Sequence, residues 1–211
     1  MMTDLNAALT LTGPDATLAL YRDWAATYDG GFATDMQYNL PAHVAAAFMA
    51  AGGQGPVLDV GAGTGLLAAS LRQMGLTAPI DALDFSQDML DVAAKKRLYS
   101  GLYRADVTQP LALPRRYNGI TSSGTFTAGH VGPVAFPHML DIALPGALFA
   151  LSINQRVWTG QGFDTALAAL TTSNRIRDLH MIDVQVYGQA ARALDPTHAD
   201  DRAYVALFRA V

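Results

Sequence analysis

Chemistry in this chain starts at Asp59, Gly61, Gly63 and Gly65, which end and follow the first apolar run in VLDVGAGTGLLAASL. A β-branched run that turns through three glycines into a helix brings its backbone close to a ligand, because glycine carries no Cβ and tolerates a left-handed turn. Two ligand classes use such a turn: a dinucleotide pyrophosphate and a sulfonium-bearing nucleoside. The spacing is G-x-G-x-G, and Leu66 stands where the third glycine of the dinucleotide fingerprint would fall. Asp59 sharpens the choice. A pyrophosphate beside it would cost on the order of a few kcal/mol at intermediate dielectric, whereas ammonium or sulfonium charge would be attracted. Asp59 therefore favours a cationic ligand, with a carboxylate that only caps backbone amides as the plainer alternative.

Further carboxylates fall at neighbouring strand ends. Asp84 ends the second apolar run in IDALDFS, where a carboxylate can accept both ribose hydroxyls of a nucleoside. Asp81 is a rival but lies inside the same run. Asp106, in YRADVT, is placed to meet an adenine amino group, or else is an exposed turn carboxylate. His130, in GTFTAGHVG, titrates near neutral pH and is the first candidate for a general base. Gly129 and Gly132 mark a tight turn there, so the imidazole could equally bond only to backbone. Asn154 and Trp158, in SINQRVW, could line an acceptor pocket or anchor a loop.

The elements that must hold these residues alternate. Apolar runs at 57–60, 79–85, 102–105 and 117–123 read as strands, with amphipathic helices at 65–74 and 86–97, the second capped by Ser86. Such alternation predicts a parallel sheet with covered faces, an α/β Rossmann-like fold with helices on both sides. A buried strand at 147–154 and a helix at 163–174 follow Pro145-Gly146. The runs at 180–188 and 203–211 have no helix-length pattern between them, so they should pair as a C-terminal antiparallel hairpin. Upstream, 14–28 and 40–52 read as helices. We expect one domain over 1–211, with 1–54 as a helical cap and 55–211 as the core. Residues 24–32 would form a lid with Gly30-Gly31 as its flexible part.

Composition excludes several classes. The 211 residues carry a formal net charge of −4, with lysine only at Lys95 and Lys96, so no basic stripe for a nucleic acid is present. There is no cysteine, which removes disulfides and thiolate metal sites, and no metal is expected. The N-terminus lacks a secretory pattern and no run is long enough to span a bilayer, so a cytoplasmic protein without a membrane partner is expected.

With these residues in hand, the chain resembles the class I S-adenosylmethionine-dependent methyltransferases. VLDVGAGTG looks like their first motif, LDFSQDML like the ribose-binding segment and ADVT like the adenine-binding turn. YRDWAATYDGGF and NGITSSGTFTAGHVGP are similar to the Williams-Beuren-region methyltransferase-like group. Asn118 departs from the usual aspartate before the fourth strand's apolar run. The resemblance implies seven strands, the last antiparallel, and S-adenosylmethionine as cofactor with S-adenosylhomocysteine as product. It implies that Gly61, Ala62 and Gly63 line the methionine end, Asp84 holds the ribose, and Asp106 with Val107 flanks the adenine. Phe85 and Met89 would cover the adenine, Ser123 or Gly124 would sit beside the sulfonium, and Tyr28 would reach the cofactor's carboxylate. The expected partner is a small-molecule methyl acceptor, with no nucleic acid, for a monomer or homodimer. Two alternatives stand: a protein that binds the cofactor without turnover, and, more distantly, an NAD-dependent oxidoreductase.

Overall fold

The computed structural model describes residues 29–211. The expected helix at 14–28, most of the expected lid and Tyr28 lie outside the described residues. Seven strands form one sheet: β1 (Val57–Val60), β2 (Ile80–Asp84), β3 (Gly101–Arg104), β4 (Tyr117–Phe126), β5 (Ala143–Asn154), β6 (Ile176–Gln185) and β7 (Arg202–Ala210). Their order is β3-β2-β1-β4-β5-β7-β6. The first five run parallel, and β7 is antiparallel to both β5 and β6. The expected parallel sheet closed by an antiparallel C-terminal hairpin is the fold observed. The order reverses at β1, so the carboxyl ends of β1 and β4 mark the switch point at which open α/β sheets bind ligands.

Helices cover both faces. On one side lie α1 (Leu40–Ala50) and α2 (Leu66–Gln73), whose Val44, Phe48, Leu67 and Leu71 pack against Val57, Leu148 and Val205. Helix α3 (Gln87–Lys95) begins at Ser86, whose Oγ accepts from the Met89 amide at 3.3 Å, as its position in the sequence predicts. On the other side α4 (Ala135–Asp141) and α5 (Phe163–Thr172) bury Phe136, Met139, Phe163 and Leu167 against Ile120, Phe149 and Phe208. Phe126, Phe136 and Phe163 form a ring cluster with centroids 5.6 to 5.9 Å apart. A short helix α6 (Ala191–Leu194) lies in the β6–β7 link.

Several elements differ from the sequence reading: β6 begins at Ile176 instead of 180, β4 runs on to Phe126, α6 is additional, and two further differences involve prolines. Helix α4 was not anticipated, since Pro137 interrupts AFPHMLD. It is the third helical residue, in the first turn, where an amide has no intrahelical acceptor to lose. Strand β5 begins at Ala143 and runs through Pro145-Gly146 instead of starting after them. A register shift between Tyr117 and Gly119 of β4 leaves that stretch unpaired, so a residue without an N–H is accommodated.

Candidate functional site

Every glycine of the turn after β1 has positive φ, but for different reasons. A Cβ on Gly61 would meet Thr125 Oγ1 at 1.9 Å, so this glycine lets β1 lie against β4. A Cβ on Gly65, the N-cap of α2, would come within 3.1 Å of the Tyr99 ring. At Gly63 nothing lies within 4 Å, so the one open side of the turn is here.

The amides of the turn are already committed. Gly61 and Ala62 both donate to the Leu83 carbonyl, at 2.8 and 3.1 Å, and Gly65 donates to Ala62. The Gly63 amide donates to Asp84 Oδ2 at 2.8 Å. A phosphate nest needs such amides pointing at the anion. Here the position is held by a carboxylate, so the turn is built against a pyrophosphate.

Two acids flank the turn. Asp59 is 0% exposed; its Oδ2 accepts the Tyr99 hydroxyl at 2.7 Å, while Oδ1 is buried without a partner. Burial pushes its carboxyl up to about 7, the Tyr99 hydrogen bond acts against this, and the charge of Asp84 adds to it. Asp84 ends β2 with Oδ1 accepting from Ser86 at 2.8 Å and Oδ2 from Gly63. Burial raises its carboxyl too, opposed by the amides of Ser86, Gly63 and Phe85. Its rival Asp81 is a structural acid: Tyr117 donates to it at 3.0 Å and Arg115 lies 3.2 Å away. Asp81 also keeps one buried oxygen without a hydrogen bond, but it has a counter-charge. Asp59 has none among the described residues.

The remaining cofactor-side candidates follow β2 and β3. Phe85 is half-buried beside Asp84, and Met89 is 2% exposed on the first turn of α3. Asp106 is half-buried, and its Oδ1 accepts from the Thr108 amide and hydroxyl at 2.9 and 2.7 Å. Val107 beside it is buried.

The other wall of the crevice is β4. Ser122 and Thr125 donate to the Val60 carbonyl at 2.8 and 3.1 Å, and Ser152 of β5 accepts from the Gly124 amide at 3.0 Å. A Cβ on Gly124 would lie 2.5 Å from the Tyr38 hydroxyl, and the neighbouring Ser123 Oγ is buried without a hydrogen-bond partner. Burial pushes the Tyr38 phenol up to about 12, with nearby Ser123 acting the other way. Tyr38 lies 5.8 Å from Tyr187 ring to ring, and the two residues form an isolated antiparallel bridge. Asn39 donates to Val186 at 3.0 Å, and Gly188 donates to Gln37 at 3.0 Å. Gln37 is itself left-handed, at φ 49. The segment before α1 is thus fastened to the β6–β7 link at the tip of β4. Sequence reasoning did not single out Tyr38, whose partners Gly124 and Tyr187 come from β4 and from the β6–β7 link.

His130 lies in the loop after β4, half-buried, with Nδ1 2.8 Å from the Ala128 carbonyl. A carbonyl only accepts, so Nδ1 carries the proton and Nε2 is the basic nitrogen. Burial lowers the imidazole's value, with the Ala128 bond opposing it. Asn154 caps the 3₁₀ turn Gln155–Val157 through the Arg156 amide, and Trp158 packs edge-on against Tyr204 at 5.0 Å. Asn118 donates to Gly55 at 2.9 Å, tying β4 to the lead-in of β1. Among the described residues no group of three or more histidines and carboxylates could hold a metal, and no helix is long and apolar enough to cross a membrane.

Residues 57–146 match the family model of a methyltransferase domain. The chain is 33% identical over 142 residues to human Methyltransferase-like protein 27, covering 64% of this chain and 56% of that protein. It thus spans little more than half the length of that curated relative. This accords with the methyltransferase-like group read from the sequence. Among solved structures, the fold is similar to N-methyltransferase NodS from Bradyrhizobium japonicum, solved with S-adenosylhomocysteine. The TM-score is 0.57 at 16% identity, over 80% of this chain and 85% of that one. It is also similar to PH1948 from Pyrococcus horikoshii, provisionally described as an RNA methyltransferase, with TM-score 0.61 at 12% identity over 82% and 84% of the two chains.

Proposed function

We propose that this chain, a class I S-adenosylmethionine-dependent methyltransferase by its fold and by the methyltransferase domain at 57–146, methylates a small-molecule acceptor. One observation carries the reading. The glycine turn directs its amides inward and faces two carboxylates, which suits a cationic nucleoside and repels a dinucleotide.

The residues fit S-adenosylmethionine. Asp59 offers a buried oxygen with no partner for the α-ammonium, and Gly63 leaves open space for the methionine end. Asp84 takes the ribose hydroxyls while its amide bonds fix the carboxylate plane. Phe85 and Met89 line one side of the adenine, and Asp106 with Val107 the other. Ser123, beside Gly124, lies next to the reacting sulfur. When bound, the cofactor supplies a methyl group that is already activated, so the protein's task is alignment and, for a protonated nucleophile, removal of a proton. His130 takes that proton through Nε2, its Nδ1–H held by Ala128. The net charge of −4 and the acidic crevice favour a small acceptor over a nucleic acid.

Thermal melting tests the ligand. S-adenosylhomocysteine or S-adenosylmethionine at about 100 times its Kd should add about 2.7 kcal/mol. For a chain of this size that is roughly 5 to 10 °C. A shift with NAD alone would end this reading. Labelled S-adenosylmethionine with a cell extract should then yield a labelled small molecule. Labelled RNA instead would move the acceptor to nucleic acid, and no labelled product would favour binding without turnover.

A further inference from the structure

We propose that Tyr99 is a positioning residue for the ligand of the glycine turn: its hydroxyl grips Oδ2 of Asp59 and leaves Oδ1 to receive an α-ammonium group, with one proton passing from Asp59 to solvent as the ligand binds. This rests on the methyltransferase reading and adds to it a residue and a proton that neither the fold nor the glycine motif specifies.

Asp59 is enclosed, 0% exposed with Oδ1 buried, and the open space of the turn lies at Gly63. Tyr99 comes from the link between α3 and β3, and its ring packs against Gly65, Ala62, Ala82 and Leu90. Ring and turn therefore fix each other, and the 2.7 Å hydrogen bond sets the rotation of the Asp59 carboxyl. The titratable groups facing Asp59 are Tyr99 and Asp84, and among the described residues no cation pairs with it. Burial beside Asp59 holds the Tyr99 phenol well above its ordinary range, so it remains a donor.

With burial raising Asp59 to about 7, a large share of the ligand-free protein carries the neutral acid at physiological pH. Its proton sits on Oδ1, because Oδ2 already accepts from Tyr99. An ammonium arriving at Oδ1 requires that O–H bond to break. The proton leaves to solvent, and a carboxylate–ammonium pair forms in its place. Affinity must then rise with pH up to about 7, by about tenfold per unit on the acid side, and level off above. Without the Tyr99 bond, which stabilises the ionised form, the levelling moves to higher pH.

Calorimetric titration of the ligand-free protein with S-adenosylhomocysteine, from pH 5.5 to 8.5 in two buffers of different ionisation enthalpy, reads both quantities. Wild type should release close to one proton per ligand near pH 6, with Kd improving about tenfold between pH 5.5 and 6.5. Tyr99→Phe keeps the ring against Gly65 and should shift the levelling upward by about half a unit or more, weakening binding about twofold or more at pH 7. Asp59→Asn, which leaves Tyr99 in place, should abolish both the proton release and the pH dependence. An unchanged profile in Tyr99→Phe means that the ring merely packs, and overturns the proposal. So does wild-type binding without proton release, which leaves the methyltransferase reading intact. If wild type binds neither S-adenosylhomocysteine nor S-adenosylmethionine at any pH, the reading itself fails.

Discussion

The two walls of the crevice are made of different materials. At the tips of β1 and β2 the site consists of carboxylates under a glycine turn, with Asp59 and Asp84 raised by burial and held by Tyr99, Gly63 and Ser86. At the tip of β4 it consists of hydroxyls and aromatic rings: Ser122, Thr125 and Ser152 bond the backbone, and Tyr38 closes over Gly124. On the proposed reading the first wall selects by charge, favouring a cationic nucleoside over a dinucleotide. The second offers shape and little charge, so on the same reading it would leave the acceptor's identity open.

The largest test of this contrast is where the walls touch. Gly61→Val puts a side chain on Thr125 at a left-handed position, and overpacking with backbone strain should cost about 3 to 5 kcal/mol. A urea melt measures it. Gly63→Ala meets no neighbour, so it should cost only the backbone term of about 1 to 2 kcal/mol while losing S-adenosylhomocysteine binding. A Gly63→Ala protein that binds normally would break the assignment of the open side.

Next comes the charge of the first wall. The Asp59 carboxyl is higher in the folded protein than unfolded, so the folded state binds the extra proton and stability falls as pH rises between about 4 and 7. Asp59→Asn cannot ionise, so melts of the ligand-free proteins should show the variant gaining on wild type by on the order of 3 kcal/mol from pH 4 to pH 8. A constant difference would mean that the acid is not desolvated. Asp84→Ala should weaken S-adenosylhomocysteine by about 1 to 3 kcal/mol in a binding titration. Unchanged affinity would remove its ribose role. The smallest effect belongs to the second wall: His130→Ala should lower turnover about tenfold, or about 1.4 kcal/mol, in the labelled-extract assay and leave cofactor affinity alone.

The first wall was legible because its determinants are close in sequence. Glycine spacing, an acid two residues upstream and an acid at the next strand tip are all local patterns, and the structure brings them together as read. Tyr99 escaped because its role depends on the depth of a ring under the turn. Tyr38 escaped because nothing in its own stretch shows that Gly124 and Tyr187 will be its neighbours. Helix α4 was hidden by a proline in its first turn, and the start of β5 by a proline at a break in pairing. The parallel sheet followed from alternation, and its antiparallel closing hairpin from the lack of a helix-length pattern between 188 and 203.

The bridge between Tyr38 and Tyr187 bears on the order in which the site is made. Its two sides are separated by nearly the whole described chain, so their loop must close before their contacts can contribute. The carboxylate wall needs only β1, β2 and the link to β3, all within a short span. The loops that bring the carboxylate wall together are therefore the shorter ones. The aromatic wall needs the link between β6 and β7, so its contacts close later in the chain than those of the carboxylate wall.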